Sequence, residues 1–509
     1  MKQLNKAFIE GRKADQSMSY PKEDWDRLPP KVLQFGTGVL LRGLPDYFID
    51  KANKAGVFNG RIIVVKSTAK GKAEGFDEQD GLYTICVKGV QDGKEVDEQI
   101  INSSIEKVIT AAQWEEILTY ADHPEMKIVL SNTTEVGIVY DKHDYLFALP
   151  PASFPAKLTA FLYRRYKYFK GDTQAGMVIV PTELINDNGS ILKEIVLKLA
   201  HTHQLEEAFI NWLESANYFC NSLVDRIVPG KLSYAEQEEM ENRLGYRDDL
   251  MIMAEPFRLW AIQSDSEEVK KVLSFSEVDE GMVIADDIKK FKELKLRLLN
   301  GTHTFSCGLA VLAGFDTVKE ALANPAMETF VKGLLFKEIV PTVLAQNLPE
   351  VEVNSFAKHV LDRFRNQSLD HKWINITLNY SSKMEMRNVA LLNGFAKHNG
   401  NSPEYMALGF AAYLLFMKGN KRIDEVYKGY TVKGYYPIND EQAEYFAQLW
   451  KQNEGDDVVD KALKNQKLWK TDLTLIPHFS DRVKHYLSEL QAKNVLQVII
   501  SVTGEMRSV

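Results

Sequence analysis

Cysteine is scarce in this 509-residue chain, with Cys86, Cys220 and Cys307 its only three. They lie too far apart for zinc-ligand spacing or a disulfide framework. Three small buried thiols in a reducing, cytoplasmic setting are expected. Neither cysteines nor histidines cluster at ligand spacing, which argues against a metal-dependent alcohol dehydrogenase, and no metal site is expected. The longest charge-free apolar stretch, Tyr405 to Met417, falls short of the roughly 20 residues a membrane span needs and reads as a buried helix. The opening MKQLNKAFIEGRKAD lacks the apolar core of a secretion signal. A basic excess is missing too. The 62 Lys and Arg are outnumbered by 70 Asp and Glu, a net charge of −8, so no nucleic-acid-binding face is indicated. Internal repeats, low-complexity tracts and long Gly/Ser linkers are absent. At 45% hydrophobic and 26% charged residues the chain is neither disordered nor fibrous, and its length predicts two or more domains.

Strand-like and helix-like segments alternate over the first half. LPPKVLQF ending near Phe35, RIIVV (61–65), KIVLS (127–131) and MVIVP (177–181) are short, continuous apolar runs. Such runs suggest parallel strands covered on both faces. Helical stretches such as AAQWEEILTYA and AKLTAFLYRRYKYF lie between them, which predicts a doubly wound α/β, Rossmann-like domain. From about Asp286 onward helical periodicity dominates, so a mainly α-helical second domain is expected. The reading is therefore 1–285 and 286–509.

The first strand runs directly into GTGVLLRG, residues 36–43. A strand, a tight glycine turn and a helix form the front of a dinucleotide-binding unit. Phe35, Gly36, Thr37 and Gly38 would line the phosphates, with Gly38 letting the backbone approach a pyrophosphate. Leu41 stands where the usual third glycine would be, and Arg42 is read as a cation for the phosphates. A plain strand-to-helix turn also explains a lone GxG. The second strand ends in Lys66-Ser67-Thr68 with no carboxylate for a ribose hydroxyl, so Lys66 joins the cofactor candidates and NAD versus NADP stays open.

The segment KELKLRLLNGTHTFSCGLAVLAGF holds Lys295, Asn300 and His303. On a continuous α-helix, Asn300 lies about 140° and His303 about 80° around from Lys295, so one broad, partly buried face carries all three. Desolvation there lowers a lysine pKa from about 10.4 towards neutrality, suiting it to general acid–base work. Asn300 suits a developing alkoxide and His303 suits substrate positioning.

KLRLLNGTH is the K-x4-N-x2-H pattern, and with it the chain resembles the polyol-specific long-chain (mannitol) dehydrogenase family. GTGVLLRG, QDGLYT, SNTTEVG, SFPAKL, LVDRIV and AEPF are similar to family segments in the same order. SNTTEVGI, FCNSLVDRIV, DDIKKFKELK and AGFDTVKE resemble the altronate oxidoreductase (tagaturonate reductase) branch more than the mannitol branch. The likeness covers nearly the whole chain.

The resemblance implies metal-independent hydride transfer. Lys295 transfers the proton, Asn300 polarises the carbonyl and His303 positions the substrate. The nicotinamide would lie near Asn132 and Thr133, with NADH the branch's usual cofactor and NADP not excluded. Two departures stand out. Leu184 takes the place of a second family asparagine, leaving its task to Asn300, Asn188 or water. Asn375 stands where polyol enzymes carry an arginine. A hexuronate's carboxylate calls for a cation, and Arg387, with Lys383 one helical turn earlier, is the expected anchor. Asp225 would hydrogen-bond substrate hydroxyls or pair with an arginine inside the fold.

The expected partner is a keto-uronate or aldonate small molecule, with D-tagaturonate and D-altronate chosen by likeness alone. Fructuronate or polyol activity and a non-catalytic nucleotide sensor are the alternatives. Tyr163 and Lys167 have the spacing of a short-chain dehydrogenase pair, but the glycine turn is of another type and the chain is too long. The sequence leaves the oligomeric state and the physiological direction open.

Overall fold

The computed structural model describes residues 1–11, 18–66, 74–133 and 137–504. Ser67 and Thr68, and residues 134–136 of SNTTEVG, lie outside them. The chain divides into two compact units. The first comprises Met1–Lys88 and Glu95–Ile288, the second Gly89–Lys94 and Lys289–Val509. The short Gly89–Lys94 segment, the tip of a β-hairpin, groups with the second unit; the sequence reading had kept it within 1–285.

Six strands form the central sheet of the first unit: β1 (Pro30–Phe35), β2 (Arg61–Lys66), β3 (Ile105–Thr110), β4 (Ile128–Ser131), β5 (Val178–Pro181) and β6 (Tyr218–Phe219). All pair in parallel, in the spatial order β3-β2-β1-β4-β5-β6. This is the doubly wound dinucleotide-binding order, which reverses direction between β1 and β4. Every residue of β2, β4 and β5 is buried, as their unbroken apolar runs require. Leu33, Ile63, Val129 and Ile179 face one core, and Val32, Ile62, Ile128 and Val178 face the other. SFPAKL starts a helix, α1 (Phe154–Tyr168), because the Ser153 hydroxyl accepts the Ala156 N–H at 3.1 Å and a proline occupies the first turn. Smaller sheets flank the main one. Ser222–Asp225, Leu259–Gln263 and Met282–Ala285 make a three-stranded piece, and the hairpin Tyr83–Gln91/Lys94–Asn102 belongs to a four-stranded one.

The second unit is mainly helical, with one three-stranded antiparallel sheet built from Lys421–Ile423, Val426–Thr431 and Gly434–Pro437. Its centre is α2 (Glu404–Phe416), apolar on nearly all sides. Phe410 packs its ring against Trp469 and Phe479, so a helix with no polar face is covered all round. Burying each such Leu or Phe contributes about 1.5–3 kcal/mol. No helix among the described residues is long and apolar enough to cross a membrane. Three helices here contain a π-helical stretch: Lys295–Gly301, Leu334–Ile339 and Met384–Val389.

Candidate functional site

In the first unit the glycine turn sits at the sheet's reversal point, outside the carboxyl ends of the strands. Phe35 closes β1, buried against Phe154, and the Gly36 N–H donates to the Val65 carbonyl at 3.0 Å. Gly36 has φ +126°, and a Cβ there would stand 2.9 Å from the Asn132 carbonyl oxygen, so the loops after β1 and β4 touch where only glycine fits. Thr37 is half-buried. Gly38 precedes the short helix Val39–Gly43 with φ −62°, and a Cβ on it would meet nothing within 4 Å. The protein's own packing does not require glycine there, which fits a cradle kept clear for a pyrophosphate. Lys66 ends β2, largely buried.

Asn132 and Thr133 are held by the loop after β5. The Asn132 side-chain amide donates to Thr182 Oγ1 at 2.9 Å and to the Thr182 carbonyl at 3.1 Å. The Thr133 N–H and hydroxyl both donate to Glu183 Oε1, at 2.9 and 3.0 Å, while Ser131 Oγ donates to Oε2 at 3.0 Å. Glu183, buried and not singled out by the sequence reading, is thus the residue that fixes this loop. The donors of Asn132 and Thr133 are spent internally, leaving acceptors to face a ligand.

Three expectations for this unit need correction or qualification. Arg42, read as a cation for the phosphates, is turned into the fold. It is buried, Nη1 donates to the Leu250 carbonyl at 2.7 Å, and its guanidinium lies 5.3 Å from the Tyr83 ring centre. Burial pulls its pKa down, and the Leu250 carbonyl that accepts from it is distant in sequence. Asn188 is saturated rather than available to a substrate. Its amide donates to the carbonyls of Pro181, Glu183 and Ser222, and its oxygen accepts from the N–H groups of Gly189 and Ser222. Asp225 is buried opposite Leu259. Leu184 is exposed, as is Asn375 in the second unit.

The pair Tyr163 and Lys167 shares Glu206, at 2.8 and 2.9 Å. Burial and that carboxylate push the Tyr163 pKa up, the opposite of what a catalytic tyrosinate needs. The three cysteines are free and buried, and no metal-ligand cluster occurs among the described residues.

In the second unit the expected uninterrupted α-helix through Lys295, Asn300 and His303 is replaced by Lys289–Leu294, the π stretch Lys295–Gly301, and Thr302–Leu312. An i→i+5 repeat brings Asn300 one turn on from Lys295 along the same side, where a continuous α-helix would set them about 140° apart. His303 follows within the next turn. Lys295 and Asn300 are half-buried, and His303 is 7% exposed.

The His303 ring stacks on Phe364 and meets His371 and Trp373 edge-on, at 5.3 and 6.0 Å. Burial above all, then the positive fields of His371, Arg363, Arg387 and Lys383, hold its pKa well below 6.5. The imidazole is therefore neutral, and its Nε2 has no hydrogen-bond partner among the described residues.

Arg387 lies on the π stretch Met384–Val389 and donates from Nη1 to Thr304 Oγ1 at 3.2 Å. Its buried Nε has no acceptor among the described residues. Lys383 donates to the Ile376 carbonyl at 3.0 Å, and burial, then Arg387, lower its pKa. Cations thus surround a neutral imidazole, with two buried nitrogens left for a polar ligand. That arrangement suits an anion bearing hydroxyls. The aromatic box of Phe364, His371 and Trp373 carried no sequence signal, because it is assembled from separate elements.

The sequence profile of the mannitol dehydrogenase Rossmann domain matches residues 30–274, and that of the mannitol dehydrogenase C-terminal domain matches 287–491. The chain is 37% identical to an altronate oxidoreductase of Bacillus subtilis (strain 168) over 491 residues, covering 95% of this chain and 98% of that one. It is 38% identical to an altronate oxidoreductase of Halalkalibacterium halodurans, over 94% of each chain. Its fold is similar to that of a D-sorbitol dehydrogenase in substrate-free form (TM-score 0.79, 20% identity, 98% of this chain and 100% of that one). It is also similar to that of Pseudomonas fluorescens mannitol 2-dehydrogenase in a ternary complex with NAD and D-mannitol (TM-score 0.69, 20% identity, 99% and 100%). The protein is an oxidoreductase belonging to the mannitol dehydrogenase family.

Proposed function

We propose that this enzyme interconverts D-tagaturonate and D-altronate using a nicotinamide dinucleotide, NADH in the reducing direction, in the cytoplasm. The observation that carries the reading is the half-buried Arg387 guanidinium, whose buried Nε is unspent, beside the neutral His303. A polyol offers no charge to such a group, whereas a uronate offers a carboxylate. The curated relatives' printed name, altronate oxidoreductase, supports the same choice.

The residues after β1 and β4 would hold the dinucleotide, which supplies hydride to the carbonyl carbon when bound. The acceptors of Asn132 and Thr133 suit its carboxamide. On the substrate side Arg387 holds the carboxylate, assisted by Lys383, and His303 orients a hydroxyl through Nε2. Lys295 delivers a proton to the carbonyl oxygen as negative charge builds there. Asn300, one turn on, donates a hydrogen bond to that oxygen. With Asn188 saturated and Leu184 lacking a polar atom, Asn300 carries the electrostatic task from this chain.

A panel of keto-uronates and polyols assayed with NADH and NADPH, or the oxidised cofactors for the alcohols, tests the reading. Fastest turnover of tagaturonate with NADH is expected. Turnover of polyols alone would leave a polyol dehydrogenase, and dinucleotide binding with no turnover of any compound in the panel a nucleotide sensor.

A further inference from the structure

Thr304 is fully buried, and its hydroxyl stands between two groups of the candidate site. Oγ1 is 2.8 Å from the Asn300 carbonyl oxygen and 3.2 Å from Arg387 Nη1. A carbonyl only accepts and a guanidinium only donates, so the order is fixed. Arg387 donates to the hydroxyl, and the hydroxyl donates to Asn300. Hydrogen bonds in such a chain polarise one another.

The bond to the carbonyl four residues back is ordinary for a helical threonine. Thr302, also buried, makes it to Leu298 at 2.6 Å. What sets Thr304 apart is the guanidinium on its other side. The π stretches Lys295–Gly301 and Met384–Val389 are tied together elsewhere as well. Arg297 Nη1 donates to the carbonyls of Met386 and Arg387 at 2.9 and 2.7 Å, and Asn388 Nδ2 donates to the Gly301 carbonyl at 3.3 Å. A displacement of Arg387 is therefore passed to the turn that carries Asn300.

We propose that Thr304 is a positioning residue that couples the carboxylate anchor Arg387 to the carbonyl-polarising Asn300. It favours substrates with an acid group by holding both in register. This rests on the function proposed above and identifies a residue that decides specificity without touching the substrate.

The test compares Thr304→Val, Thr304→Ser and Thr302→Val with the wild-type enzyme, on tagaturonate and on an uncharged ketose. Thr304→Val should raise KM for the keto-uronate about tenfold and lower kcat, the loss expected when a buried charge-assisted bond is broken. For the ketose only kcat should fall. Thr304→Ser should restore both constants, and Thr302→Val should behave as wild type. Where Thr304→Val does not fold, Thr304→Ala, which also lacks the hydroxyl, replaces it. Equal KM shifts on the two substrates, or the same losses in Thr302→Val, would overturn the coupling. A wild-type enzyme that turns over no keto-uronate would overturn the functional reading first, and this inference with it.

Discussion

The imidazole of His303 lies flat against the ring of Phe364, the centroids 4.1 Å apart and the planes 9° from parallel. That contact, with His371 and Trp373 at the ring's edges, removes the imidazole from water and keeps it uncharged.

A stability prediction follows from the depressed pKa. The unfolded chain takes up a proton at His303 as pH falls below about 6.5, and the folded chain does not. The stabilisation linked to this residue is therefore complete above pH 6.5 and is lost as pH falls towards the lower folded value. His303→Phe keeps a flat ring against Phe364 and has no proton to bind. Between pH 7 and 5 the melting temperature should drop less in the variant than in wild type. Parallel curves would show that His303 is not held neutral. His371, also shifted down by burial, leaves a residual slope in both proteins.

The glycine turn separates fold from binding. Gly36→Ala forces a side chain into φ +126° and places its Cβ against the Asn132 carbonyl, so the fold should lose about 1–3 kcal/mol, read from denaturant unfolding. Gly38→Ala meets no protein atom at φ −62° and should melt like wild type, yet weaken dinucleotide binding about tenfold or more in a fluorescence titration. Undiminished binding in Gly38→Ala would remove this turn from the cofactor site.

How much of this was legible in the sequence differs from residue to residue. Strands such as Ile62–Val65 were readable because a parallel strand covered on both faces must be apolar throughout. Gly36 was readable because a tight turn leaves a local signature. The inward bond of Arg42 was not readable, since its partner Leu250 lies far along the chain and nothing near the glycines reveals it. Glu183 was invisible for the same reason, reaching back to Ser131 and Thr133. The π stretch is the most instructive case. A 100° wheel spread Lys295 and Asn300 over one broad face, while the π turn brings them closer together, because an i→i+5 turn depends on tertiary support such as the bonds from Arg297 and Asn388.

Arg387 should decide charge preference. Removing a half-buried guanidinium that binds a carboxylate costs about 1.5–3 kcal/mol, some ten- to a hundredfold. Arg387→Ala should raise KM for tagaturonate by that factor and leave KM for an uncharged ketose nearly unchanged. Equal increases for the two would assign Arg387 to holding the π stretches and not to the carboxylate.

Lys295 is the residue on which the chemistry turns. It opens the π stretch, half-buried, one turn before Asn300. Hydride arriving at a carbonyl carbon leaves negative charge on oxygen, and a proton delivered in the same step is worth about 10²- to 10⁴-fold in rate. Lys295→Ala should lose turnover by that order in both directions, because the group that gives the proton in reduction must take it back in oxidation. Its dinucleotide affinity should stay within about twofold of wild type, since the turn after β1 is untouched. Lys295→Met, which retains most of the chain's bulk, should be equally inactive. That would separate loss of the ammonium from loss of packing. Turnover in Lys295→Met near the wild-type rate would show that the proton comes from elsewhere.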